Sequence, residues 1–208
     1  MDLKAFYKLS YGLYIVSSCD QDRQSGCIVN TLTQVTAEPV QLAVTVNKDN
    51  FTKELIEKSG FFTGVALTES ADMDLIGTFG FRSGKTENKF EKFPVKQDLN
   101  GVFYVTQDVA ARFSCKVVKQ LDLDTHVMFI GEVQEAETLS EDDVMTYAYY
   151  QQVKKGTTPK NAPSYKGEET QKKGYRCSIC GYVLESDTLP PDFVCPICKQ
   201  GADKFVKL

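Results

Sequence analysis

Four of the seven cysteines in this 208-residue chain, Cys177, Cys180, Cys195 and Cys198, form two Cys-x-x-Cys pairs near its end. Each pair lets two thiolates turn toward one ion from a tight backbone knuckle. The 14 residues between the pairs are enough to fold the second knuckle back onto the first. Four thiolates in a tetrahedron suit iron or zinc. Two disulfides, or unrelated buried thiols, are the other reading of four cysteines, and the doubled spacing argues against both. These four residues are the expected metal ligands.

Which metal they take depends on their neighbours. Gly181 follows Cys180 and permits the left-handed backbone that aims N–H groups at sulfur, hydrogen bonds that raise the potential of a bound iron. Tyr175, Tyr182, Phe193 and Phe205 can pack an aromatic cluster around the site. Tyr175, the CxxCGY run from Cys177 to Tyr182, the PPDFVCPIC run and Phe205 together resemble rubredoxin, which implies iron. The segment between the knuckles is shorter than in free-standing rubredoxins, as in the rubredoxin-like end of rubrerythrins. Lys199 also stands where a glycine often follows the fourth cysteine, so unequal sulfur hydrogen bonding is expected at the two knuckles. A module of about 34 residues is too small to rest on a hydrophobic core alone, so its metal must supply much of its folding free energy.

Length and cysteine placement favour two domains. Charge is unevenly spread: residues 1–153 hold 14 Lys/Arg against 22 Asp/Glu, whereas residues 154–174 hold six lysines and two glutamates. The acidic first part indicates no basic nucleic-acid surface there. The basic stretch could lie against its own acidic barrel, greet an acidic partner, or simply be solvated. No signal-peptide pattern opens the chain and no apolar run approaches 18 residues, so a cytoplasmic protein with no membrane span is expected.

The elements that must position these groups follow in order. Ser10 to Cys19 reads as a strand, Asp20 to Gly26 as a polar turn, GCIVNTLTQVT from Gly26 as a second strand, and Val40 to Asn47 as a third. Asn50 caps a short helix that Gly60 ends, Phe61 to Thr68 is strand, and Asp72 to Phe79 is a second short helix. After a polar loop, GFRSGKTENKFEKF, strands are expected at Gly101 to Thr106, Ala111 to Leu121 and His126 to Ala136. Ser140, with acids in the first turn, Lys154 and Lys155 in the last and Gly156 beyond, signals a further helix. Six strands with little βαβ alternation predict a mainly β fold, an antiparallel barrel with short helices. Composition makes the stretch 156–173 a flexible linker, spanning roughly 20–25 Å if it behaves as a flexible chain. The expected division is therefore 1–155, 156–173 and 174–208.

Three stretches of the large domain could bind a ligand. Asn47, Lys48, Asn50, Phe51 and Thr52 surround a helix N-terminus, a seat for phosphate or an ordinary cap. Phe81, Arg82, Ser83, Gly84 and Lys85 place two basic groups and a hydroxyl in the polar loop, which could also be merely solvated. Asn30, Thr31, Leu32 and Thr33, followed by Gln34, form a strand that turns polar, able to line a planar heterocycle or to face water. In this order and spacing, NTLTQVTAEPVQLAVTVNKDNFT, FRSGKTENKF and THVMFIGEV resemble the flavin reductase family of FMN-binding split barrels over residues 1 to about 155. The TPKNAPSY run from Thr158 is also seen beside some of these barrels. The resemblance implies a split barrel that holds FMN along 30–34, its phosphate at Lys48, Asn50, Thr52, Arg82 and Ser83. It also implies contacts from Asn47, Phe51, Phe81, Gly84 and Lys85, and a homodimer.

His126, the only histidine, opens the GEV strand, and in the family a histidine here lies near flavin or nicotinamide; a satisfied core or surface histidine is the alternative. Cys19, Cys27 and Cys115 lack partner spacing and read as small buried apolar residues. No GxGxxG or Walker loop occurs, so NAD(P)H would have to bind directly over the flavin. The whole chain resembles the high-molecular-weight rubredoxins, which implies electron flow from NAD(P)H through FMN and an iron held by four cysteines to an acceptor such as a flavodiiron oxygen or nitric oxide reductase. Two other readings stay open. The tail could hold zinc and only dock the barrel to a partner, or the chain could be a flavin or ferric reductase that releases its flavin.

Overall fold

The computed structural model describes residues 2–154, 156 and 174–208. Apart from Gly156, the stretch expected as a linker lies outside the described residues, the TPKNAPSY run included.

A 3₁₀ turn, Leu3–Lys8, leads to β1 (Tyr14–Asp20), which reverses through Gln21 and Asp22 into β2 (Arg23–Val29). The polar residues 23–26, expected as a turn, are strand: Ser25 pairs with Ser18 and Gly26 with Ser17. Hydroxyl hydrogen bonds explain how serine survives in β1. Ser18 donates to the Phe61 carbonyl at 2.8 Å and Ser17 to that of Phe103 at 2.6 Å, so the buried polar groups are satisfied.

The single strand expected from Gly26 onward is two. β2 ends at Val29, residues 30–32 cross over, and β3 (Thr33–Ala37) pairs with β4 (Val40–Asn47). With β5 (Phe61–Leu67), β8 (Val109–Leu123) and β9 (His126–Thr138), the antiparallel sheet runs β2-β1-β5-β8-β9-β4-β3. Residues 30–32 therefore carry the chain from one edge of the sheet to the other. Val29, Leu32, Leu42, Val44 and Val46 share a core with Val16, Cys27, Phe62, Cys115 and Phe129, so the sheet curls until its two ends face each other. It does not close by hydrogen bonds, which makes it a split barrel. β6 (Val95–Gln97) and β7 (Phe103–Val105) form a separate two-stranded sheet.

Helix α1 (Phe51–Ser59) starts and stops where its local signals say. The Asn50 side chain accepts from the Thr52 N–H, and Gly60 takes the left-handed conformation that ends it. Helix α2 (Met73–Phe81), capped by Asp72, covers the other face of the sheet with Leu75, Ile76 and Phe79 against Ile15, Val65, Leu67 and Phe90.

The helix expected from Ser140 does not form there. Residues 143–146 instead run extended between two other segments. The Met145 N–H donates to the Leu67 carbonyl at 2.7 Å, the Leu13 N–H to the Met145 carbonyl at 3.0 Å, and the Tyr147 N–H to the Tyr11 carbonyl at 2.8 Å. This pairing, with Met145 buried, satisfies the backbone that a helix would have satisfied internally. Only a short α3 (Tyr147–Gln152) follows, capped by Thr146.

The C-terminal part has β10 (Tyr175–Cys177), β11 (Val183–Leu184) and β12 (Phe205–Lys207) in the order β11-β10-β12. Among the described residues no helix is long and apolar enough to cross a membrane.

Candidate metal centre and flavin cradle

The two knuckles fold alike. Cys177 donates its N–H to the Tyr182 carbonyl and accepts from Gly181, and Cys195 donates to Gln200 and accepts from Lys199, all at 2.8 to 3.0 Å. Gly181 and Lys199 occupy the same left-handed position, φ 80° and 58°. Lys199 therefore does not break the backbone symmetry. It holds a conformation that costs a residue with a Cβ roughly 1–2 kcal/mol.

The four sulfurs are buried and lie within 4.8 Å of one another, with Cys177 to Cys198 at 3.6 Å and Cys180 to Cys195 at 3.5 Å. Metal–sulfur bonds of about 2.3 Å set tetrahedral edges of about 3.8 Å, so this constellation has the size of a four-thiolate metal site. Burial opposes ionisation of the Cys177 thiol, but the N–H groups of Cys180 and Ile179 outweigh it and lower its pKa. Burial dominates at Cys180, raising its pKa against the N–H of Tyr182, and at Cys198, pushed up to about 12 against the N–H of Gln200. A cation is what such a buried donor set needs to become four thiolates, and these N–H groups suit iron. Tyr175, Tyr182, Phe193 and Phe205 pack around the sulfurs, with Phe193 and Phe205 edge to face at 5.2 Å. The other three cysteines stay apart. Cys27 and Cys115 are buried core residues, burial pushing the Cys115 thiol up to about 12, and Cys19 is half-buried with its Sγ 3.5 Å from the Gly101 carbonyl.

The expected flavin residues fall into two groups joined by the N-terminus of α1. In the first, the 82–85 loop folds over that N-terminus. Lys85 pairs with Glu54 and lies 5.9 Å over the Phe51 ring, and a Cβ on Gly84 would meet the Ser25 hydroxyl at 2.2 Å. Thr52, fully buried, donates to Ser25 Oγ at 3.1 Å, and Arg23 stacks 4.3 Å over Phe51. Ser25 and Arg23 belong to this cradle and were not expected from sequence. Nothing local marks them, because only the sheet brings β2 under α1. In the second group, Lys48 pairs with Asp122 at 2.6 Å, an exposed bridge of little strength that lowers the Asp122 pKa. His126 stands opposite Asn47 in the ladder, with its Nδ1 2.8 Å from Thr125 Oγ1.

Arg82 tests whether this cradle fits an anion. Its Nη1 reaches Glu87 at 3.4 Å, yet its Nε is buried without a hydrogen-bond partner among the described residues. A buried guanidinium donor left over in the loop whose Gly84 and Lys85 reach Phe51 fits a phosphate oxygen. Ser83 is occupied by its own loop: Oγ accepts from the Lys85 N–H at 3.2 Å and its carbonyl from Thr86 and Glu87. In the crossing segment Asn30 and Leu32 are buried. Thr31 clasps β4, donating to the Thr45 carbonyl at 2.9 Å and accepting from its N–H at 3.2 Å, and Thr33 is exposed in β3. The Thr31 hydroxyl is thus committed to the barrel.

The metal unit lies against α2. Met73 and Phe81 pack on the cluster containing the four cysteines and Ile197, and Lys199 approaches Asp74 at 3.9 Å. Phe81 thus sits between the metal unit and the loop that begins at Arg82.

Residues 6–158 match the flavin reductase like domain, and residues 175–206 the rubrerythrin, rubredoxin-like domain. Fold and site together define a flavin-dependent oxidoreductase barrel joined to a four-cysteine iron unit. Over its whole length, and the whole length of the relative, the chain is 38% identical to a high molecular weight rubredoxin of Moorella thermoacetica. Over 79% of its length it is 46% identical to a ferric-chelate reductase (NAD(P)H) of Archaeoglobus fulgidus, covering 98% of that protein. The fold is similar to a flavoredoxin from Methanosarcina acetivorans, with TM-score 0.58 at 22% identity over 64% of this chain and 70% of that one. The chain belongs to the high-molecular-weight rubredoxin family, a flavin reductase-like domain followed by a rubredoxin-like domain. Its cofactors are a flavin and iron, and its reaction is NAD(P)H-dependent.

Proposed function

We propose that the chain relays electrons from NAD(P)H, through FMN in the barrel and the iron held by Cys177, Cys180, Cys195 and Cys198, to an acceptor protein such as a flavodiiron reductase. A bound flavin supplies the conversion this needs, since it accepts an electron pair as hydride and releases single electrons to a one-electron iron. The chain's own residues divide the remaining work. Arg82 and the N–H groups opening α1 hold the phosphate, with Lys48, Asn50, Thr52 and Ser83 around it. Asn47, Phe51, Gly84 and Lys85 complete that wall, Asn30 to Thr33 line the ring edge, and Phe81 separates flavin from metal. His126, beside Asn47, faces the nicotinamide side. The observation that carries this reading is the seating of the four-sulfur unit on the helix that runs into Arg82.

The domains divide near residues 155 and 174, and the protein works in the cytoplasm as a homodimer. Exposed Val35, Val40, Val118, Leu121 and Leu123 on β3, β4 and β8 support a partner surface on the barrel.

The similarity to a ferric-chelate reductase favours a second reading, in which the flavin is released and the tail is dispensable or holds zinc for docking. Gel filtration separates the two. FMN that co-elutes with the protein, and iron recovered from protein made in its native host, support the relay. FMN lost on the column, with ferric-chelate turnover unchanged in Cys198→Ser, supports the second reading.

A further inference from the structure

We propose that helix α2 is a built seat for the second metal knuckle and that Gly77 is the residue that makes it. The purpose assigned to the seat, flavin-to-iron transfer, rests on the relay described above. Glycine in a helix interior costs about 1 kcal/mol relative to alanine, and α2 carries one at its midpoint. Contact across the two units accounts for it. A Cβ on Gly77 would lie 2.2 Å from the carbonyl oxygen of Ile197 and 3.2 Å from its carbonyl carbon. Both are backbone atoms and cannot rotate aside, so the knuckle rests directly on the helix backbone.

Met73, Gly77 and Phe81 fall at i, i+4 and i+8, one stripe of α2. The two large members of that stripe are the barrel residues packed on the sulfur cluster. Asp74 and Lys199, both nearly half exposed, add orientation at the rim and little energy. The knuckles, alike in backbone, therefore differ in cover: Ile197 is 7% exposed and its counterpart Ile179 is 43% exposed. The second knuckle faces the flavin domain, and the first stays open toward a one-electron acceptor while the unit is seated. When both cofactors are bound, the seat would serve one-electron transfers that move no atoms: two in succession would carry the electron pair of one hydride from flavin through the iron held by the four cysteines to the acceptor.

Gly77→Ala, with Gly80→Ala as control, tests the seat. Both changes replace a glycine of α2 by alanine, at its midpoint and in its last turn, but a Cβ on Gly80 meets nothing closer than Ile28 at 3.5 Å. Met73→Glu is a second disruption at the edge of the stripe that leaves the helix backbone alone. In zinc-loaded full-length protein, which is redox-silent, hydrogen exchange is read at the amides of Ile197, Cys198, Lys199 and Gln200. Exchange at least 10-fold faster in Gly77→Ala and Met73→Glu, with Gly80→Ala like wild type, is expected. Protection in both disruptive variants equal to wild type overturns the seat. With FMN and iron loaded, anaerobic mixing with NADH should show unchanged flavin bleaching and at least 10-fold slower iron reduction in the same two variants. If wild-type iron stays oxidised after the flavin bleaches, the relay fails, while the exchange result still judges the seat.

Discussion

Arg82 carries the phosphate reading because its buried Nε has no hydrogen-bond partner among the described residues. A charge-assisted hydrogen bond contributes about 1.5–3 kcal/mol, so Arg82→Ala should weaken FMN binding by about 10- to 100-fold, read by quenching of flavin fluorescence. Affinity equal to wild type would place the phosphate elsewhere. Lys89 allows a test of stability. It is buried, donates to the Gly26 carbonyl at 2.9 Å and lies 3.4 Å from that of Phe79, and burial lowers its pKa to about 8. Between about pH 8 and 10.5 the unfolded chain holds the proton that the folded one has lost, so this residue's contribution rises with pH across that window, by about 3 kcal/mol in all. Denaturant titrations should show wild type gaining stability relative to Lys89→Met from pH 8 to 10.5. A constant difference would contradict it. At this scale the four cysteines were legible, because their ligand spacing is written in the chain. Ser25 and Lys89 were not, since what they bond to is fixed only when β2, α1 and the loop after α2 meet.

Helix α1 was legible from end to end, because a cap, an apolar face and a terminating glycine are local signals. The segment after Ser140 carries signals of the same kind and folds otherwise. Its backbone finds partners in residues 11–13 and 67, and burial of Met145 decides the contest. The crossing at 30–32 was missed for a related reason: an apolar run shows strand, and nothing in it shows which edge of a sheet each half joins. The α1 cap also separates fold from function. Asn50→Asp keeps a good capping group but sets a carboxylate where a phosphate is expected. Its thermal midpoint should stay within a few degrees of wild type while FMN affinity falls at least about 10-fold, a 1.4 kcal/mol effect. Unchanged affinity would reduce Asn50 to an ordinary cap.

On the scale of the whole molecule, the sequence showed a metal unit and a β domain but not their contact. That contact depends on a glycine in α2 and a carbonyl about 120 residues later, which no local pattern connects. Seating the four-cysteine unit on the helix that leads into the loop proposed to hold phosphate is what supports one path through two redox sites. Rapid anaerobic mixing of FMN- and iron-loaded protein with NADH or NADPH, followed in the visible spectrum, tests that path most directly. Flavin absorbance should fall first and the ferric–thiolate absorbance second, with the second phase absent in Cys198→Ser. Iron that remains oxidised with both nicotinamides, after the flavin has bleached, would contradict it.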